Sequence, residues 1–139
     1  MKKYLVLLLF YAHGCYADGA SYPLPDYMKL HKPYLSKSCA NTETQYEMDE
    51  CTQKSLSATT KQMVKILTKL RDNYKANEPN LVAALNKSQS SWESIKTTSC
   101  EFETYYSREG SGYASILNAC LESKINERIS YLQWMLDHP

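Results

Sequence analysis

Gln89-Ser-Ser-Trp92-Glu-Ser-Ile-Lys96-Thr-Thr-Ser-Cys100 is an amphipathic helical segment. Gln89, Trp92, Lys96 and Cys100 fall on one stripe at spacings of three, four and four, the period of a helix face. A wide ring and a cysteine on the same face imply that neighbouring elements cover it and clamp it. Trp92 therefore reads as core packing before it reads as a platform for a ligand.

Working outward, Leu81, Leu85, Ser88, Trp92, Ile95 and Ser99 extend the pattern to a helix from Pro79 to about Tyr105, with Gln89, Lys96 and Cys100 beside that stripe. Asn77-Glu78-Pro79-Asn80 separates it from an earlier helix, because proline suits a first turn and not a helix interior. The earlier helix runs from Thr42 to about Asn77, with Met48, Leu56, Met63, Ile66, Leu67, Leu70 and Tyr74 inward. Glu43, Glu47, Asp49 and Glu50 crowd its start, and Lys61, Lys65, Lys69, Arg71 and Lys75 its end, as the helix dipole favours. Ser107-Arg108-Glu109-Gly110-Ser111-Gly112 reads as a loop. A third helix follows from Tyr113 to about Leu136, with Leu117, Leu121, Ile125, Leu132 and Met135 inward. Nothing alternates with period two. The expected fold is all-α, a small antiparallel three-helix bundle with an irregular N-terminal arm and two disulfides.

The start of the chain addresses the compartment. Met1-Lys2-Lys3 is basic and Tyr4 to Ala12 is an apolar run of signal-peptide length, far short of the roughly 20 residues that span a bilayer. Cys15-Tyr16-Ala17 offers a cleavage site, so residues 1–17 read as an export signal and the mature chain begins at Asp18. The minor reading is a lipobox at Ala12-His13-Gly14-Cys15, with a lipid anchor on Cys15. Residues 18–38 carry Pro23, Pro25 and Pro33, which prevent a long helix, and read as an irregular leader arm. Residues 39–139 form the helical domain. The expected location is periplasmic or secreted.

Cys39, Cys51, Cys100 and Cys120 remain in the mature chain, an even number suited to two disulfides. Their spacings of 12, 49 and 20 do not fit a zinc site. All four gather at one pole of an antiparallel bundle. If twelve helical residues separate Cys39 from Cys51, that pair is out of reach, which also excludes Cys100 with Cys120. The preferred pairing is then Cys51–Cys100 with Cys39–Cys120, and the alternative Cys39–Cys100 with Cys51–Cys120.

Charge and motif content narrow the function. Without Lys2 and Lys3 the chain has 14 basic and 15 acidic side chains, a net charge of about −1. No basic patch clusters as nucleic-acid binding demands. The mature histidines are His31 in the arm and His138 at the end, neither beside a core nucleophile. Glu47, Glu50, Glu101, Glu103 and Glu127 show no spacing of an acid–base pair, and Gly110-Ser111-Gly112 lacks the strand and lysine of a phosphate loop. The chain reads as non-catalytic, with no cofactor, metal or transmembrane span.

Two groups of residues remain. Arg128 falls between Ile125 and Leu132 on an inner stripe, and a buried guanidinium needs partners. Glu47, Gln45 and Gln89 are the candidates, in a polar core that also includes Trp92. Tyr105, Tyr106, Ser107, Arg108, Gly110, Ser111, Gly112 and Tyr113 form the candidate partner-binding surface, because tyrosines give large contact area and small polar residues adapt. Disulfides at the same pole would pre-organise it.

Cys39, Thr44-Gln45-Tyr46-Glu47-Met48-Asp49-Glu50-Cys51, Gln89-x-x-Trp92, Cys100, Gly110-Ser111, Cys120-Leu121 and Arg128 together resemble the LprI-type lysozyme-inhibitor family. The resemblance runs from about Ser38 to Leu136. Lys96-Thr97 stands where such proteins often carry Arg-Asp, and Thr60 and Met63-Val64 replace an Asp and a Leu-Asn pair, so the polar network is thinned. The resemblance implies a small exported helical protein that protects peptidoglycan by binding lysozyme. The alternative is an envelope structural or regulatory module that binds another exported protein.

Overall fold

A computed structural model describes Cys39 and residues 41–138. The signal segment, Cys15 and the leader arm lie outside the described residues. Three long helices make up the architecture: α1 (Gln45–Asn77), α2 (Pro79–Glu103) and α3 (Tyr113–Asp137), with a short 3-10 turn at Tyr105–Ser107. No strand occurs among the described residues.

Each boundary has a local cause. Thr44 caps α1 through a capping box. Its hydroxyl accepts the Glu47 N–H at 3.2 Å, and the Glu47 carboxylate accepts the N–H groups of Thr44 and Glu43 at 3.1 and 3.0 Å. The α1–α2 connection is a single residue, Glu78, whose N–H closes onto the Tyr74 carbonyl before Pro79 opens α2. At the far end of α2 the Thr104 hydroxyl and N–H both donate to the Cys100 carbonyl, which ends the helix.

Such a short connection forces α2 to run back along α1, and α3 then runs parallel to α1. The core is Met63, Ile66, Leu67 and Leu70 of α1, Leu85 of α2, and Ile125, Ile129 and Leu132 of α3, fringed by Leu56, Tyr74, Trp92, Met135 and Leu136. α1 and α3 pack along most of their length, whereas α2 touches each of them less extensively. That thin seat narrows the buried face of α2. Leu81 and Ile95, expected inward, are 44% and 62% exposed, and the buried residues of α2 are Leu85, Gln89 and Cys100.

The disulfides differ from both pairings expected. They are Cys39–Cys51 and Cys100–Cys120, each with Cα atoms 5.7 Å apart. The exclusion of Cys39–Cys51 assumes helical rise over all twelve steps between them, but α1 begins only at Gln45. Six helical steps carry Cys51 about 9 Å along the axis. The segment before Gln45 folds back beside those turns, where Thr42 donates its hydroxyl to the Cys39 carbonyl and also reaches the Met48 sulfur. Cys100 and Cys120 face each other where α2 ends and α3 begins.

Candidate functional site

Two surfaces gather the residues singled out from the sequence. The first is a polar seam between α2 and α3. Arg128 Nε donates to Gln89 Oε1 at 3.1 Å and Arg128 Nη2 to Ser88 Oγ at 3.3 Å. Its guanidinium stands 5.5 Å from the Trp92 ring and 5.4 Å from Tyr131, and Lys96 Nζ is 5.3 Å from the same Trp92 ring. Gln89 Nε2 in turn donates to Glu93 Oε1 at 3.0 Å, and Glu93 pairs with Lys96. Burial lowers the Arg128 pKa, an effect opposed by Tyr131 and Glu93. Of the three partners considered for Arg128, Gln89 is the one it meets. Glu47 is exposed and spent on capping α1, which holds its carboxyl below the ordinary glutamate range through the backbone N–H groups of Glu43 and Thr44. Gln45 is also exposed and bonds Asp49 and Ser115. Neither belongs to the core.

The second surface is the disulfide pole. After Thr104 the chain makes consecutive turns, closed by Ser107 N–H to the Thr104 carbonyl, Gly110 N–H to Ser107 and Tyr113 N–H to Gly110. Gln45 holds the connection to α1 by donating to Ser115 Oγ at 3.1 Å, and a Cβ on Gly112 would stand 3.3 Å from its Oε1. The aromatic rings project from this frame. Tyr106 is 98% exposed and Phe102 82%, with Tyr105 and Tyr46 also exposed. Tyr105 and Tyr106 meet edge to face at 5.6 Å, and Arg108 covers Tyr105 at 4.0 Å. Tyr113, by contrast, is half-buried at the start of α3.

Antiparallel packing also sorts the charges. Glu43, Glu47, Asp49 and Glu50 at and just before the α1 start share a pole with Glu101 and Glu103 at the end of α2, with Glu109 in the connection. Lys54, Lys124 and Arg108 pair with Glu50, Glu103 and Glu109, leaving an acidic excess. The basic run Lys61, Lys65, Lys69, Arg71 and Lys75 points the other way along α1. A net charge near zero thus conceals an acidic pole.

A family model described as lysozyme inhibitor LprI matches residues 36–132. The chain belongs to the LprI lysozyme-inhibitor family. No curated protein and no solved structure matches it. The LprI match includes all four bridged cysteines, the Arg128 seam and the aromatic connection. The two disulfides fit an oxidising compartment, and no described helix is long and apolar enough to cross a membrane.

Sequence reading missed two features. One is Glu122, fully buried, whose Oε1 accepts from Ser55 at 2.6 Å and Thr59 at 3.0 Å while Oε2 has no hydrogen-bond partner among the described residues. The signal was present. Glu122, Ile125, Ile129 and Leu132 lie at helical spacings, but a glutamate was not counted as an inward residue. The other is Phe102, which joins the tyrosines because α2 leaves its outer face uncovered.

Proposed function

We propose that this LprI protein is exported and non-catalytic, and that it binds lysozyme through its disulfide pole, protecting peptidoglycan by covering the enzyme's cleft. The observation that carries the reading is the cluster of exposed rings on an acidic surface. Phe102, Tyr105 and Tyr106 supply contact area, and aromatic anchors dominate most protein interfaces. The surrounding carboxylates complement a basic enzyme, as many lysozymes are, and would speed encounter at low salt. Loop residues Ser107 to Gly112 adapt at the rim, and the Cys100–Cys120 bond keeps the connection from paying a large ordering cost.

A lysis-protection assay tests this. The oxidised chain from Asp18 is titrated into several lysozymes acting on peptidoglycan. Saturable inhibition is expected, and the double variant Phe102→Ala/Tyr106→Ala should weaken it about 30-fold or more, given hot-spot losses of about 2 kcal/mol or greater. Both side chains are exposed, so the melting temperature should hold. Full inhibition by the variant would move the contact off this pole. No inhibition across lysozyme classes would defeat the lysozyme reading itself.

A further inference from the structure

At the end of the bundle opposite the aromatic pole, a groove of about 220 Å³ opens between α2, α3 and the last turns of α1. Tyr74 on its wall lies 29 residues along α1 from Gln45, roughly 43 Å at the helical rise. Its lining is chiefly apolar, from Leu81, Leu85 and Met135, and Arg128 stands at its edge. The exposure of Leu81 follows from this opening, because α2 is seated too thinly here to close over it.

Arg128 gives the groove its chemistry. A guanidinium carries five N–H groups, and the protein engages Nε with Gln89 and Nη2 with Ser88. Among the described residues no carboxylate pairs with it. Glu93 is the carboxylate that acts on its charge, but one Glu93 oxygen accepts from Gln89 and the other from Lys96. A half-buried cation, oriented by two hydrogen bonds and with no carboxylate counter-ion among the described residues, therefore borders an apolar hollow.

We propose that this groove binds a small amphiphilic anion, with its apolar body on Leu81, Leu85 and Met135 and its carboxylate or phosphate on the remaining Arg128 N–H groups. The volume sets the size. A cavity of about 150 Å³ holds a benzene ring, so this groove admits a single ring or a chain of about eight carbons. Arg128 recognises planar carboxylates and phosphates alike, through paired charge-assisted bonds.

Calorimetric titration of the oxidised protein with octanoate and octyl phosphate, below their micelle-forming concentrations, tests the site, with octanol as the uncharged control. One saturable site is expected for the anions, and binding of octanol weaker by about ten-fold or more, as loss of a charged hydrogen bond implies. The tighter of the two anions identifies the head group. Ala84, exposed on the groove wall, provides a variant that spares Arg128: Ala84→Leu should fill the hollow, abolish anion binding and leave the melting temperature and any lysozyme inhibition unchanged. Amide shifts on anion binding should centre on Leu81, Ala84 and Tyr131. Equal affinity for octanol and octanoate, unaltered anion binding by Ala84→Leu, or no saturable binding of either anion would overturn the proposal.

Discussion

Glu122 shows how much a single side chain costs and contributes inside this bundle. It has 0% exposure, so both oxygens have left water. Ser55 and Thr59, one turn apart on α1, each donate a hydroxyl to Oε1, while Oε2 has no partner among the described residues. Nearby Thr52 is buried too, returning its hydroxyl to the Met48 and Asp49 carbonyls and accepting from Asn118. The α1–α3 contact is therefore polar near the disulfides and apolar from Met63 onward. Removing either hydroxyl takes one of two donors from Oε1 and loses a hydrogen bond, which costs about 0.5–1.5 kcal/mol. Ser55→Ala and Thr59→Ala should each destabilise by that amount in urea unfolding. A double variant no less stable than the parent would show that the buried carboxylate draws nothing from α1.

At the scale of the element, α1 depends on its first turn. The capping box satisfies N–H groups that the helix itself leaves open, and Thr44→Ala should cost about 1 kcal/mol. Glu47 adds a pH signature. Its folded pKa is depressed by the Glu43 and Thr44 N–H groups, so its contribution is fully present above the ordinary glutamate range. That contribution is lost as pH falls through this range toward the depressed folded value. Carboxyl NMR titration should find Glu47 below a typical glutamate, and Thr44→Ala should bring it closer to normal. An unmoved Glu47 in the variant would mean that the box does not act as a unit. The breaks between helices were readable in the chain, because Glu78-Pro79 and the glycines before Tyr113 act on their immediate neighbours, whereas the start expected at Thr42 falls at Gln45, where the Thr44 cap sets it. Which face of α2 is buried was less readable. Its apolar residues are too few to outvote Gln89, and Leu81 and Ile95 sit where neighbouring helices cover them only in part.

For the whole molecule, the two disulfides staple different things. Cys39–Cys51 closes 12 residues onto the start of α1, whereas Cys100–Cys120 closes 20 residues around the aromatic connection. By loop entropy each is worth about 3 kcal/mol. Paired replacement by serine should therefore lower stability by similar amounts. Only the Cys100→Ser/Cys120→Ser protein should also exchange the amides of residues 105–113 faster and, on the proposed function, inhibit lysozyme more weakly. Equal exchange in that segment for both variants would show that the turns after Thr104 hold their shape unaided.

Composition, helical period and breakers are properties of neighbours in the chain, and they specified three helices, the breaks between them and their antiparallel order. The resemblance carried by the cysteines, Gln89, Trp92 and Arg128 pointed to the family on the same local evidence. Tertiary structure alone decided the bridge partners, the partner of Arg128 and the place of Glu122. Each depends on how far one segment folds back or one helix leans on another, and no periodicity records that distance. The backward turn before Gln45 is the clearest case. Residues 41–44 have no α-helical period to be read from spacing, yet the chain there brings Cys39 to Cys51 and leaves Cys100 to meet Cys120.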